Sequence, residues 1–95
     1  MTRDAALALL RDQHAFPGDH RFHVIVRDQP GHVARVQASL ADLCGIPSLE
    51  GRVTEVPSRE GTYVSLRVQL PCPDAEKVLD IYAHLGALAE VVRYF

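Results

Sequence analysis

Two segments of the 95-residue chain alternate strictly between apolar and polar side chains, and this constrains the fold more than any other feature. In an extended strand successive side chains point to opposite faces, so a period of two predicts a sheet with one buried face. The first segment spans residues 20–28 and the second spans residues 62–70. The residues predicted to face the core are Phe22, Val24, Val26, Val64, Leu66, Val68 and Leu70.

Apolar residues that recur at steps of three and four predict helices elsewhere in the chain. The predicted helices span residues 2–13, residues 32–44 and a segment that follows Pro73 and ends at Gly86. Residues 49–56 give a weaker strand signal, and residues 88–95 form a strand-like segment whose inward and outward positions the pattern does not resolve. Residues 57–61 have the composition of a turn, with a length that is common in antiparallel hairpins.

The resulting order is a helix followed by strand, helix, strand, strand, helix and strand. Helical links of this length form right-handed crossovers, which predicts the α+β class and a ferredoxin-like βαββαβ sandwich. We expect a four-stranded antiparallel sheet with two helices on one face, and we also expect its first and third strands to be central and parallel to each other. The whole chain, residues 1–95, is expected to form one domain, with a helical extension at residues 1–16 and the βαββαβ core at residues 20–95.

The sheet face without helices is the first candidate functional surface. Strand parity predicts that it carries His23, Ile25, Arg27, Tyr63, Ser65 and Arg67, with Arg52 and Thr54 added by the second strand. Three interpretations stay open: a solvated face, a surface for self-association or for a partner protein, and an RNA-binding face. Ile25 and Tyr63 at its centre favour the second. RNA recognition on such a sheet stacks bases on several aromatic residues, and here only Tyr63 qualifies.

Composition excludes several classes of partner. The net charge of −2 and the pI of about 6.2 provide no global positive field for nucleic acid or an anionic membrane. The longest apolar run, residues 5–10, is too short to span a bilayer. Cys44 and Cys72 form no CxxC pair, which favours a reducing compartment. We therefore expect a cytoplasmic protein with no membrane or nucleic-acid partner.

Residues suited to metal binding or catalysis are sparse. His20 and His23 have the spacing of a ligand pair, but positions three apart on a strand point to opposite faces. His14 and His20 flank a turn and could converge, with no cysteine or carboxylate clearly aimed at them. The acylphosphatases, which share this fold, use an asparagine to position water, and the chain contains no asparagine. We expect no metal, no cofactor and no enzymatic activity.

The turn after the first strand is the strongest local signal. The run Asp28-Gln29-Pro30-Gly31 places a glycine where the backbone turns tightly. The N–H groups at the start of the following helix are able to bind a carboxylate or a phosphate. Two interpretations stay open: either Asp28 caps the helix and Gly31 only turns the chain, or the turn is an anion or amino-acid site.

The same turn resembles the signature of ACT domains, small βαββαβ modules that regulate many amino-acid enzymes. In that signature an acidic residue, any residue and Pro-Gly precede an apolar helix and Gly-Ile, as Gly45-Ile46 follows the predicted helix here. The resemblance implies contact with an amino acid, usually at a dimer interface. The positions that would make this contact are Asp28, Gln29, Gly31, His32 and Val33.

The chain also resembles the YbeD-like family of small bacterial proteins of unknown function, which share the ACT-like fold. The motifs that carry this resemblance are Leu9-Leu10, Phe16-Pro17, Pro57-Ser58 with Gly61, Tyr63 and Ser65, Ile81-Tyr82 with Leu85, and Val91-Val92. In this order they span roughly residues 9–95. The resemblance implies no catalytic residues.

Together these observations predict a non-enzymatic regulatory or ligand-sensing protein of ACT-like type. We expect it to form a homodimer and to bind an amino acid or small carboxylate at the turn between the first strand and the helix. The expected partners are a second copy of the chain and either a small effector molecule or a partner enzyme. The alternative is an interaction adaptor that acts through the open sheet face and has no small-molecule ligand.

Overall fold

The computed structural model describes all 95 residues and contains the predicted order of helices and strands. The elements are α1 (Arg3–Gln13), β1 (Gly18–Arg27), α2 (His32–Leu43), β2 (Val53–Pro57), β3 (Tyr63–Cys72), α3 (Ala75–Ala87) and β4 (Val91–Tyr94). None of the three helices combines the length and the apolar content that crossing a membrane requires. The predicted α+β class is confirmed.

The four strands form one sheet in the order β2-β3-β1-β4, and every neighbouring pair is antiparallel. This order confirms the ferredoxin-like sandwich. The expectation that β1 and β3 run parallel is wrong, because they pair antiparallel from Gly18 opposite Cys72 to Arg27 opposite Tyr63. The connections explain this direction. The crossover through α2 makes β2 parallel to β1, and the β2–β3 hairpin then reverses the chain.

One face of the sheet is covered by α2 and α3. All of the residues predicted to face the core are buried there: Phe22, Val24, Val26, Val64, Leu66, Val68 and Leu70. They form one hydrophobic cluster with Val36 and Leu40 of α2 and with Ile81 and Leu85 of α3. Burying an aliphatic or aromatic side chain of this size contributes about 1.5–3 kcal/mol. This covered face therefore holds the helices to the sheet.

Helix α2 begins at a glycine without a capping side chain. Gly31 has a φ of 80°, and no side chain accepts a hydrogen bond from the first turn. Asp28 therefore does not cap the helix. Its backbone N–H donates to the carbonyl of Thr62 at 3.0 Å, which joins this turn to the β2–β3 hairpin. Glycine adopts a left-handed φ at little cost, and this explains why the turn contains Gly31.

Two elements continue past the residues expected to end them. Strand β3 continues through Pro71 to Cys72. The N–H of Gln69 points toward β2, and because backbone groups alternate along a strand, the nitrogen of Pro71 faces the same side. Since β2 does not extend as far as Pro71, no ladder hydrogen bond is lost there. Helix α3 runs through Gly86, where a Cβ atom would lie 2.7 Å from Oη of Tyr94. Gly86 therefore permits the close approach of β4 and does not end the helix.

The second strand is shorter than predicted. It begins at Val53, whereas the sequence pattern suggested a start at residue 49. Leu49 instead lies in the preceding loop with 3% of its surface exposed and joins the core from there. Leu49 therefore contributes to the core from a loop and not from a strand.

Helix α1 packs against α3 and extends the helical layer. Leu7 is its buried residue, and Arg11 forms an ion pair with Glu76 of α3. Thr2 caps the helix by accepting a hydrogen bond from the N–H of Ala5 at 3.1 Å. Leu10 also packs, partly buried, against the core. The segment is thus held by these two leucines and by surface charge pairs, which are individually weak.

Candidate functional site

The open face of the sheet, which no helix covers, carries the side chains predicted for it. These form three directly opposed pairs on β1 and β3: His23 with Arg67, Ile25 with Ser65, and Arg27 with Tyr63. On β2, Thr54 lies opposite Arg67. The carbonyl of Arg52, just before β2, accepts a hydrogen bond from Gln69 at 2.9 Å. Because residues opposite one another share a face, these side chains form one continuous surface.

Phe95 is a prominent residue of this face that sequence reasoning missed. Its backbone exchanges two hydrogen bonds with His23, of 2.6 and 2.8 Å, which adds it to the edge of the sheet. The two rings are edge-on with 4.6 Å between their centroids. Nε2 of His23 is buried without a hydrogen-bond partner. The aromatic ring of Phe95, 56% exposed as a residue, thus forms one wall of the face.

Four more open-face residues lie outside the set predicted from the sequence: Arg21, Val56, Gln69 and Arg93. Val56 lies opposite Ser65, and Arg93 lies opposite Ile25. The parity of β2 could have identified Val56, since it is two residues from Thr54. Arg93 could not be found in this way, because the pairing of β4 shifts register beside Ile25 and the simple alternation fails there.

The open face is strongly basic although the whole chain has a net charge of −2. Its arginines are Arg21, Arg27, Arg52, Arg67 and Arg93. Asp19 pairs with Arg52 at 3.3 Å, and Arg27 donates to the carbonyl of Ala89 at 2.9 Å. Arg21, Arg67 and Arg93 form no ion pair within the chain. Their guanidinium groups are therefore available to an external anion.

The two ends of the open face differ in chemistry. We define the basic half as Arg21, His23, Arg52, Thr54, Arg67 and Gln69, and the apolar half as Ile25, Val56, Tyr63 and Ser65. The basic half contains a concavity of about 690 Å³, which Phe95 also lines. In the apolar half, Val56 is 46% exposed and Tyr63 is 41% exposed. Arg27 and Arg93 border the apolar half.

The β1–α2 turn forms a second, separate concavity of about 660 Å³. Four of the five residues predicted to bind a ligand line it: Asp28, Gln29, Gly31 and Val33. Glu55 of β2 lies on the same wall. The backbone N–H groups of Val33 and Ala34 have no hydrogen-bond partner within the chain. The site thus combines two carboxylates with two available N–H donors.

His32, the fifth predicted ligand residue, does not line this concavity. Its Nδ1 atom is buried without a hydrogen-bond partner. The pKa of the neighbouring Glu90 carboxyl is lowered, first by a hydrogen bond from its own backbone and then by one from Arg35 at 3.0 Å, with a smaller contribution from His32. The structure therefore separates His32 from the other four residues.

The His14–His20 pair belongs to no metal-holding cluster, and burial disfavours the thiolate form of both cysteines. His14 and His20 converge, with 4.7 Å between ring centroids. No group of three or more histidine, cysteine or carboxylate side chains is arranged to hold a metal ion. Burial raises the pKa of the Cys72 thiol to about 11 and also raises that of Cys44. Such thiols carry little thiolate at neutral pH and are poor nucleophiles.

The fold and this surface define a small α+β protein of the ferredoxin-like class with a basic, uncovered sheet face. The model of the family described as "Protein of unknown function (DUF493)" matches residues 11–95. The chain therefore belongs to this family, which confirms the resemblance to the YbeD-like proteins. The match begins within α1 and includes the whole sheet and both helices over it. A search of curated proteins and a search of solved structures each found no match.

Proposed function

We propose that this protein is a non-enzymatic binding module that recognises an acidic partner protein through the open face. The observation that carries this proposal is the combination, on one surface, of unpaired arginines with exposed apolar side chains. Arg21, Arg67 and Arg93 supply the charge, and Val56 and Tyr63 supply the apolar contacts. Protein interfaces are enriched in arginine and tyrosine and have an apolar centre with a polar rim.

Charge complementarity favours an acidic partner over a second copy of the chain on this face. Two copies packed face to face would bring the arginines of one against those of the other, and like charges oppose association. An acidic segment would instead pair with these arginines and be steered toward them. The homodimer expected from the sequence, whose predicted interface residues lie on this face, stays a prediction.

Photo-crosslinking in the cells that produce the protein tests the proposal. A photoreactive phenylalanine replaces Val56 on the open face in one variant and Ala83 on the exposed side of α3 in the control. We expect a covalent adduct with another protein from position 56 and none from position 83. Mass spectrometry of the adduct identifies the partner and the acidity of the segment attached.

Two further variants separate the open face from the β1–α2 turn. Tyr63→Asp is expected to abolish the adduct because it places a negative charge opposite Arg27 and within the apolar half. Gly31→Ala is expected to leave the adduct intact. Thermal unfolding verifies that both variants remain folded. Equal adducts from positions 56 and 83, no adduct at all, or an adduct of two copies of this chain would each contradict the proposal.

A second candidate function is amino-acid sensing at the β1–α2 turn. The specific observation in its favour is the pairing of opposite groups in one concavity: the N–H groups of Val33 and Ala34 suit a carboxylate, and Asp28 and Glu55 suit an ammonium group. Thermal unfolding in the presence of each amino acid tests this candidate. A ligand at 100 times its Kd adds about 2.7 kcal/mol of stability. No shift with any amino acid would rule the candidate out.

A further inference from the structure

We propose that the concavity in the basic half is a binding site for a phosphate monoester. The inference rests on the proposed function, since it takes the open face as the binding surface, and it names the chemical group recognised there. Arginines from three segments of the chain line this concavity: Arg21 from β1, Arg67 from β3 and Arg52 from the residues just before β2.

The strand register brings these side chains within reach of one anion. Arg67 lies opposite His23, so Arg21 is its diagonal neighbour across the β1–β3 pair. Diagonal neighbours are about 7–8 Å apart, a separation that long side chains bridge. Arg52 lies beside Gln69, which in turn lies opposite Arg21. The three arginines therefore line the same concavity from neighbouring positions of the sheet.

The charge of the site suits a phosphate monoester better than a single carboxylate. Arg21 and Arg67 have no carboxylate partner, and the Asp19 that pairs with Arg52 is itself half-exposed. A phosphate monoester carries about −1.5 to −2 charges at pH 7 and three strong acceptor oxygens. A single carboxylate carries only one negative charge, so it would neutralise only one of the two unpaired arginines. Arginine is also the side chain best suited to bidentate phosphate recognition.

The other residues of the concavity are compatible with an esterified phosphate. Gln69 and Thr54 offer neutral hydrogen-bonding groups beside the arginines, and Phe95 offers an apolar wall for the body of the ester. The phosphate could belong to a small phosphorylated metabolite or to a phosphorylated residue of the partner protein. Recognition of the phosphate is the same in both cases.

Titration of the 15N-labelled protein, followed by amide NMR shifts, tests the site. The probes are inorganic phosphate, O-phosphoserine and the dicarboxylate succinate. We expect saturable shifts at Arg21, Arg67 and Gln69, and binding of O-phosphoserine at least about tenfold tighter than that of succinate. No saturable shift with either phosphate, or equal affinity for succinate, would overturn the proposal.

A matched pair of arginine variants distinguishes a built site from general electrostatic attraction. Arg67→Gln removes a charge from the concavity, whereas Arg93→Gln removes one from the same face outside it. Loss of a direct charged hydrogen bond weakens O-phosphoserine binding by about tenfold or more. The more distant, screened charge of Arg93 contributes less than about threefold. Equal weakening in the two variants would overturn the proposal.

Two further probes distinguish the sources of the phosphate. Tighter binding of a phosphoserine peptide than of O-phosphoserine, with added shifts at Ile25 and Tyr63, supports a phosphorylated partner protein. Equal affinities, with shifts confined to the concavity, support a small phosphorylated metabolite. Tighter binding of a uridine hexanucleotide than of O-phosphoserine and of the phosphoserine peptide would overturn the proposal in favour of RNA. If phosphate fails to bind while the adduct from position 56 forms, the phosphate site is wrong and the proposed function stands.

Discussion

The covered and open faces of the sheet are built from alternate residues of the same strands, and they differ in chemistry throughout. On the covered face of β3, Leu66 and Val68 are at most 1% exposed and lie in a core that contains no buried polar or charged residue. Between them on the open face lies the exposed, unpaired Arg67. Burial demands apolar side chains of one size and shape on the covered face. The open face meets no such demand, so its residues are available for binding.

This comparison predicts that stability and binding are separable along a single strand. Substitutions on the covered face should lower the free energy of unfolding, and binding should be affected only through the loss of folded protein. Substitutions on the open face should alter binding with little change in stability. The following variants test that separation, from the largest expected effect to the smallest.

Leu66→Ala should destabilise the protein most, and its neighbour Arg67→Gln should have almost no effect on stability. Truncating a fully buried leucine costs about 2–5 kcal/mol, whereas exposed substitutions stay within about 0.5 kcal/mol. Leu66 is 0% exposed. Urea unfolding of both variants measures the difference. Similar losses from the two variants would show that the two faces do not divide the roles as described.

Gly31→Ala is expected to reduce stability by about 1–2 kcal/mol, because an L-residue is disfavoured at a left-handed φ. Gly31 has a φ of 80°, and nothing but the Arg35 side chain lies within 4 Å of the added Cβ, so the effect is one of backbone strain. Urea unfolding measures the loss. An unchanged unfolding free energy for Gly31→Ala would contradict this account of the turn.

Gly86→Ala tests the edge of the covered face, where β4 meets α3. The new Cβ would lie 2.7 Å from Oη of Tyr94. Overpacking of this kind outweighs the gain in helix propensity, and we expect a net loss of about 1 kcal/mol. In a Tyr94→Phe background the hydroxyl is absent, and the same substitution should become neutral or stabilising. Urea unfolding of the four proteins in this cycle gives the coupling, and a coupling of zero would refute the contact.

The smallest expected effect is a pH dependence where α1 joins the core. Burial, and next the charge of His14, lower the pKa of His20 below the ordinary value of 6.5. Between the lowered pKa of the folded protein and the ordinary value of 6.5, His20 therefore binds fewer protons in the folded protein than in the unfolded one. The stability that the protein has with neutral His20 is fully present above about pH 6.5 and is lost as the pH falls through the lowered pKa.

Substitution of His20 by glutamine should flatten this part of the stability profile. Urea unfolding between about pH 7.5 and 5 measures the slope in both proteins. A wild-type slope that persists in His20→Gln would mean that another group causes it. The sign is also informative, because a wild-type stability that rises on acidification would contradict the lowered pKa.

The sequence predicted both faces of β1 and β3 because a period of two maps directly onto the two sides of a strand. It failed where the outcome depends on a neighbouring element. Pro71 remains within β3 because β2 has already ended beside it, and Gly86 remains within α3 because Tyr94 approaches there. Phe95 was missed because a register shift in β4 breaks the alternation.

The candidate site, like the fold, was predictable only where local strand parity decides which side chains share a face. The residues opposed across β1 and β3 followed from parity alone, and the two concavities did not, because their walls come from segments distant in sequence. The motif at the β1–α2 turn placed Asp28 and Gly31 together, but the turn directs His32 away from them. A local pattern thus identified the segment and not the direction of each side chain.

An aspartate scan along β3 tests the central claim most directly. Each residue from Tyr63 to Leu70 is replaced in turn, and the free energy of unfolding and the adduct yield from position 56 are measured for every folded variant. We expect two alternating patterns in opposite phase. Stability is lost at positions 64, 66, 68 and 70. The adduct is lost at positions 63, 65, 67 and 69, where the fold is retained. Losses of stability and of adduct that fall on the same residues would contradict this claim.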